Sequence, residues 1–112
     1  MKTNFGAGFH AAPGRAVDAS AYDRYIGRWS RLFVPPVLAA AEIARGYRVL
    51  DISTGTGEAA LMTLPIVGAL GLVIGGDVSP AMVEAARDRL NKPSFLPVAA
   101  DGQALPFADK EF

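Results

Sequence analysis

Cysteine is absent from all 112 residues, which excludes disulfides, thiolate-held metals and a cysteine nucleophile. Histidine is almost absent. Its single copy, His10, lies in a Gly-, Ala- and Pro-rich opening stretch, where nothing would fix the geometry that proton transfer or metal ligation needs. With one histidine and no cysteine, neither a Ser-His-Asp arrangement nor a metal cluster can be assembled. Net charge is missing as well: 11 basic residues balance 11 acidic ones, and no Lys/Arg cluster occurs. Such a chain offers no field for a polyanion, so no nucleic-acid partner is expected and a small, roughly neutral ligand is the better match. Long hydrophobic runs are lacking too. The longest, "LPIVGALGLVIGG", is shorter than the roughly 20 residues that span a bilayer, and the opening "MKTNFGAGFH" has no apolar signal-peptide core. These absences predict no membrane span and a soluble, cytoplasmic protein. No internal repeat or low-complexity tract is present.

What the chain does have, 51% hydrophobic and 20% charged residues, suits one compact domain with its own core. Residues 1–15 show no periodicity and are expected to form a flexible arm, with the folded domain over 16–112. Tyr22, Tyr25, Ile26, Trp29 and Phe33 recur at helical spacing and predict an amphipathic helix from Ala19 to Phe33. Pro35 and Pro36 are expected to break it and open a second helix, "PPVLAAAEIA", ended by Gly46. From Tyr47 onward the pattern changes. "YRVLDI", "GLVIGGD" and "FLPVAAD" read as strands, with "GEAALMTL" and "SPAMVEAARDRL" as the helices between them. Alternation of this kind defines a parallel, Rossmann-like α/β sheet of three strands, preceded by two N-terminal helices. Ser79 and Pro80 fit the N-cap and first turn of the last helix, whose buried face is marked by Met82, Val83, Ala86 and Leu90. Pro65 is expected to end or kink the preceding helix after two turns. Pro97 cannot donate to a ladder on both sides, which puts the third strand at the sheet edge.

The chemistry concentrates in "VLDISTGTGEAAL", residues 49–61. Gly55, Gly57 and Ala60 satisfy G-x-G-x-x-G/A between a strand and a helix, and Asp77 stands twenty residues past Gly57 at the end of the second strand. Alone the glycine pattern is weak; in this context it points to a cofactor containing a nucleoside, with Asp77 placed to accept ribose hydroxyls. A P-loop is ruled out because no Lys-Ser/Thr follows the glycines. Asp51 separates the remaining options. A carboxylate just before the turn would repel a pyrophosphate but suits a cation, and S-adenosylmethionine carries an ammonium and a sulfonium. The glycines would still let the backbone approach such a ligand closely. Alternatively, Asp51 caps the next helix or pairs with Arg48.

These residues resemble the class I S-adenosylmethionine-dependent methyltransferases, in particular the small-molecule group that includes ubiquinone and menaquinone biosynthesis enzymes. "VLDISTGTGEAAL" is similar to that family's first motif, "GGDVSPAMVEAAR" to its second and "VAADGQALPFADKEF" to its third. The resemblance covers about residues 20–112. It implies that Asp51, Gly55 and Gly57 surround the methionine portion, that Asp77 binds the ribose diol, and that Val78 and Met82 flank the adenine. It further implies that Asp101 accepts from the adenine amino group and that the backbone of Gly102 or Gln103 meets the ring nitrogens. Asp101 could instead be a plain turn acid, and Met82 simple core. Ser53 stands in the same pocket where the family commonly has glycine; if the position requires positive φ, the substitution costs about 1 kcal/mol. The aromatic helix, with Tyr22, Tyr25 and Trp29, resembles the segment that closes over the cofactor, although core packing is the expected role of Trp29.

In the family a fourth strand and several further elements follow the third motif. The resemblance therefore implies a truncated half of the seven-stranded methyltransferase fold, incomplete at the C-terminus. The cofactor-binding half is present and the site for the small-molecule acceptor is missing. It also leaves the first strand's outer edge bare, an invitation to self-association. Methyl transfer needs no nucleophilic side chain, so no catalytic residue is assigned. Two rival functions fit the same fold: a non-catalytic nucleoside-cofactor-binding or interaction module, and an NAD-dependent oxidoreductase, the latter opposed by Asp51 and by the third motif.

Overall fold

The structure, a computed structural model, describes residues 18–112. The expected arm over 1–15, with His10, lies outside the described residues. Helix α1, Ala19–Tyr22, starts at Asp18, which accepts from the amides of Ser20 and Ala21 at 3.0 Å. The Ser20 hydroxyl, and then the Ala21 amide, hold the Asp18 carboxyl below its ordinary pKa. A single π-helical turn, Asp23–Gly27, leads directly into α2, Arg28–Ala40.

The break expected at Pro35 does not occur, and both prolines sit inside α2. Each removes one amide donor from the helix ladder, freeing the carbonyls of Arg31 and Leu32. Both prolines and both of those residues are exposed, so water can take the freed acceptors. Nor does the helix run to Gly46. It stops at Ala40, Glu42 enters the left-handed region at φ 50°, and Gly46, at φ 83°, turns the chain toward the first strand. Pro65 is also passed without a stop: α3 runs over Glu58–Val67 and ends at Gly68.

Strands β1 (Arg48–Ile52), β2 (Leu72–Asp77) and β3 (Phe95–Ala99) form a parallel sheet in the order β1-β2-β3, and α4 (Pro80–Leu90) joins the last two. The edge position read from Pro97 is thus observed. Register aligns Val49, Val73 and Phe95 across one face, where they meet Ala60 and Val67 of α3 and Ala86 and Leu90 of α4 in the core. Leu50, Ile74 and Leu96 share the opposite face, on which Leu96 stays half exposed. Ser79 caps α4 by accepting from the Met82 amide, with Pro80 in the first turn. Among the described residues β1 has no strand on its outer side, yet the last segment reaches both its ends. Arg48 donates to Glu111 at 2.9 Å, while Gly102 lies so close to Ile52 that a Cβ there would come within 3.0 Å of it. Because the strands are parallel, the loops at 53–57, 78–79 and 100–104 gather at one edge, the carboxyl ends, where open α/β sheets bind ligands.

Candidate cofactor site

The glycine turn is built from three left-handed residues: Ser53 at φ 61°, Gly55 at φ 57° and Gly57 at φ 88°. The condition attached to Ser53 is therefore met, and it holds a conformation that strains any residue with a Cβ. Gly57 is needed for packing as well, since a Cβ there would meet Leu90 Cδ1 at 2.6 Å. Over Gly55 lies the ring of Tyr22, 3.3 Å from where a Cβ would stand.

Asp77 ties the turn to the next loop. One carboxylate oxygen accepts from the Gly55 amide at 2.9 Å and the other from the Ser79 amide at 2.9 Å. Each oxygen keeps a second lone pair for a ligand hydroxyl. Asp51 accepts from the Thr54 hydroxyl at 2.7 Å. Burial raises its pKa above the ordinary 3.8, helped by the nearby Asp77 charge and opposed by hydrogen bonds from Thr54 and the Ala60 amide. The capping alternative is thus partly realised, through Ala60 in the first turn of α3. Pairing with Arg48 is not, because Arg48 pairs with Glu111. No cation among the described residues forms a salt bridge with Asp51.

Two cavities meet at this edge. One, of about 100 Å³, is walled by Asp51, Ser53, Thr54, Thr56 and Glu58 from the turn and by Tyr22 and Ser30 from the helix above. The other, of about 260 Å³, is lined by Ser53, Asp77, Val78, Asp101, Gly102 and Gln103. Ser53 belongs to both and joins them into one groove. A larger hollow of about 490 Å³ between α2 and α3, walled by Leu38, Ile43, Met62 and Ile66, has Glu42 as its one charged wall residue and lies away from the strands' carboxyl ends. Convergent polar groups favour the smaller pair as the site. Among the described residues no group of three or more His, Asp or Glu could hold a metal.

Seven of the residues expected at the site therefore line the groove: Asp51, Ser53, Asp77, Val78, Asp101, Gly102 and Gln103. Asp101 accepts from the Gln103 amide at 2.9 Å. Gly55 and Gly57 shape the turn without lining either cavity. Met82 is only 6% exposed and faces the core, its stated alternative. Tyr25 is not brought to the groove: it is 73% exposed, with the Arg28 guanidinium 5.9 Å above its ring. Tyr22 takes the place over the turn. The expectation of core packing for Trp29 is corrected too, since it is 51% exposed and carries Arg28 at 5.3 Å. The helix turns Tyr22, Gly27, Ser30 and Val34 toward the groove and Tyr25, Trp29 and Phe33 outward, a choice that periodicity alone cannot make. Thr54, Thr56 and Glu58 were not singled out from sequence, although an acid directly after the glycines, opening an apolar helix, is an available signal.

Fold and groove together define a Rossmann-like α/β domain with a polar groove at the carboxyl ends of its strands. Residues 49–112 match the family described as methyltransferase domain, and the chain belongs to it, within the class I S-adenosylmethionine-dependent methyltransferases. The chain is 39% identical over 88 residues to a ubiquinone/menaquinone biosynthesis C-methyltransferase of Xylella fastidiosa, a match covering 75% of this chain and 33% of the relative. A protein of the same description from Stenotrophomonas maltophilia is 38% identical over the same span. Among solved structures, a SAM dependent methyltransferase from Aquifex aeolicus superposes with a TM-score of 0.65 at 26% identity, covering 81% of this chain and 51% of that one. The chain spans about a third of the length of its curated relatives.

Proposed function

We propose that the groove binds S-adenosylmethionine and that the chain forms the cofactor-binding part of a methyltransferase for a small-molecule acceptor. The observation that carries this is Asp51, a half-buried carboxylate with a raised pKa and no salt-bridge partner among the described residues. A cation placed beside it would relieve the cost of its burial, whereas a diphosphate would add to it. Glu58, the other acid of that cavity, is already held by Arg31 and Arg89.

The bound cofactor would supply a methyl group on a positively charged sulfur. Asp51 would hold its ammonium, Asp77 its ribose hydroxyls, and Val78, Asp101 and the Gly102–Gln103 backbone its adenine. What the protein contributes to the chemistry is alignment and exclusion of water, which suffices for displacement at an activated methyl. Descriptions of the curated relatives as C-methyltransferases of ubiquinone and menaquinone biosynthesis support a carbon atom of a small molecule as the methyl acceptor.

Calorimetric titration with S-adenosylmethionine, S-adenosylhomocysteine and NAD tests the reading. Binding of the first two and not of NAD is expected; tight NAD binding, or silence with all three, overturns it.

A further inference from the structure

The helix over the groove is held in an unusual way. Neither α1 nor α2 has a buried residue, and in the π turn between them only Gly27 is buried. Apolar burial therefore contributes little to its docking. Charge does more. Glu58, its side chain 10% exposed, accepts from Arg31 Nε at 3.1 Å with one oxygen and from Arg89 Nη2 at 2.7 Å with the other. Asp23 continues the network, accepting from the Thr56 hydroxyl at 3.2 Å and from Arg89 Nη1 at 3.4 Å, with Arg31 Nη2 3.8 Å away. Two acids and two arginines thus tie together three parts of the fold: the helix, the start of α3 and α4. Gly27 makes room for this, since a Cβ there would stand 2.6 Å from Asp23 Oδ1.

Resting on the cofactor reading above, we propose that Arg31 is a positioning residue that latches the N-terminal helix over the methionine-end cavity, so that release of the cofactor requires the latch to part. Arg31 does not line the cavity, but the helix it anchors supplies Tyr22, Gly27, Ser30 and Val34 to the cavity wall. A helix docked by a polar network with little buried surface belongs to the least stable part of a fold, the part from which moving lids are drawn. The Glu58–Arg89 pair stays with the core when the helix lifts, so Glu58 is not left buried without a partner.

Arg31→Gln in the same chain tests this. The side chain is half exposed, so the substitution leaves the core intact. Trp29, the chain's single tryptophan, sits two residues away and reports helix docking directly. Loss of the charge-assisted contact is expected to speed S-adenosylhomocysteine release about tenfold, with little change in association rate, and to lower the Trp29 fluorescence anisotropy. Arg31→Lys, which keeps the charge, is expected to recover part of both. Unchanged release and anisotropy in Arg31→Gln would overturn the latch, as would a lowered melting temperature as the sole effect. Should the unaltered chain bind no cofactor, the cofactor reading fails by itself. Amide exchange over residues 28–40 then decides the latch: faster exchange in Arg31→Gln supports it and equal exchange removes it.

Discussion

Asp51 is destabilised by the fold that contains it. Its folded pKa lies above the ordinary 3.8, because burial disfavours the charged form. Between those two values the native state holds more protons than the unfolded chain, so stability falls as pH rises through that window and the full penalty persists above it. Replacing Asp51 by Asn should therefore raise the melting temperature of the free protein at neutral pH while leaving it nearly unchanged at pH 3. The same substitution should weaken S-adenosylmethionine binding roughly tenfold or more, the worth of a charge-assisted hydrogen bond. Melting curves at the two pH values, with a titration at the higher one, check both halves of that trade. For the unaltered protein, affinity should decline as pH falls through the raised pKa, since only the carboxylate attracts the cation. Asp51 and Asp77 were both legible in sequence, because a strand's end followed by a glycine turn fixes where such acids stand. The partnership of Arg31, Glu58 and Arg89 was not, since nothing local links residues 27 or more positions apart.

Among the elements, the glycine turn carries backbone strain at a residue with a side chain. Ser53 adopts φ 61° with a Cβ in place, and Ser53→Gly should stabilise the protein by up to about 1 kcal/mol, partly offset by the greater freedom of glycine in the unfolded chain. Gly57→Ala should act in the opposite sense, costing about 1–3 kcal/mol, because its Cβ would collide with Leu90. Urea unfolding of both variants measures the pair. Strands and the α3 and α4 helices followed from periodicity and turn chemistry, and Ser79 and Pro80 cap α4 as read. Proline misled at Pro35 and Pro36, and at Pro65 as a helix end. In α2 the carbonyls that Pro35 and Pro36 free lie on exposed residues open to water, while Pro65 is carried within α3. The aromatic helix misled in orientation: its spacing predicted a helix correctly, but the wide apolar surface of Tyr25, Trp29, Leu32 and Phe33 turned outward.

At the scale of the whole molecule, one parallel sheet brings three loops to a single edge, and those loops supply most of the groove. The division is physical: the sheet's register sets the spacing of Asp51 and Asp77, while the charged latch sets how far the helix stands above them. Neither depends on a side chain that reacts. The central claim is that the groove is electrostatically prepared for a cationic nucleoside. Its most direct test is a carbon-detected NMR titration of the Asp51 carboxyl with and without saturating S-adenosylmethionine. A free pKa above its ordinary value, falling when the ligand binds, is the expected result. A pKa that stays in place or rises with the ligand bound would contradict it.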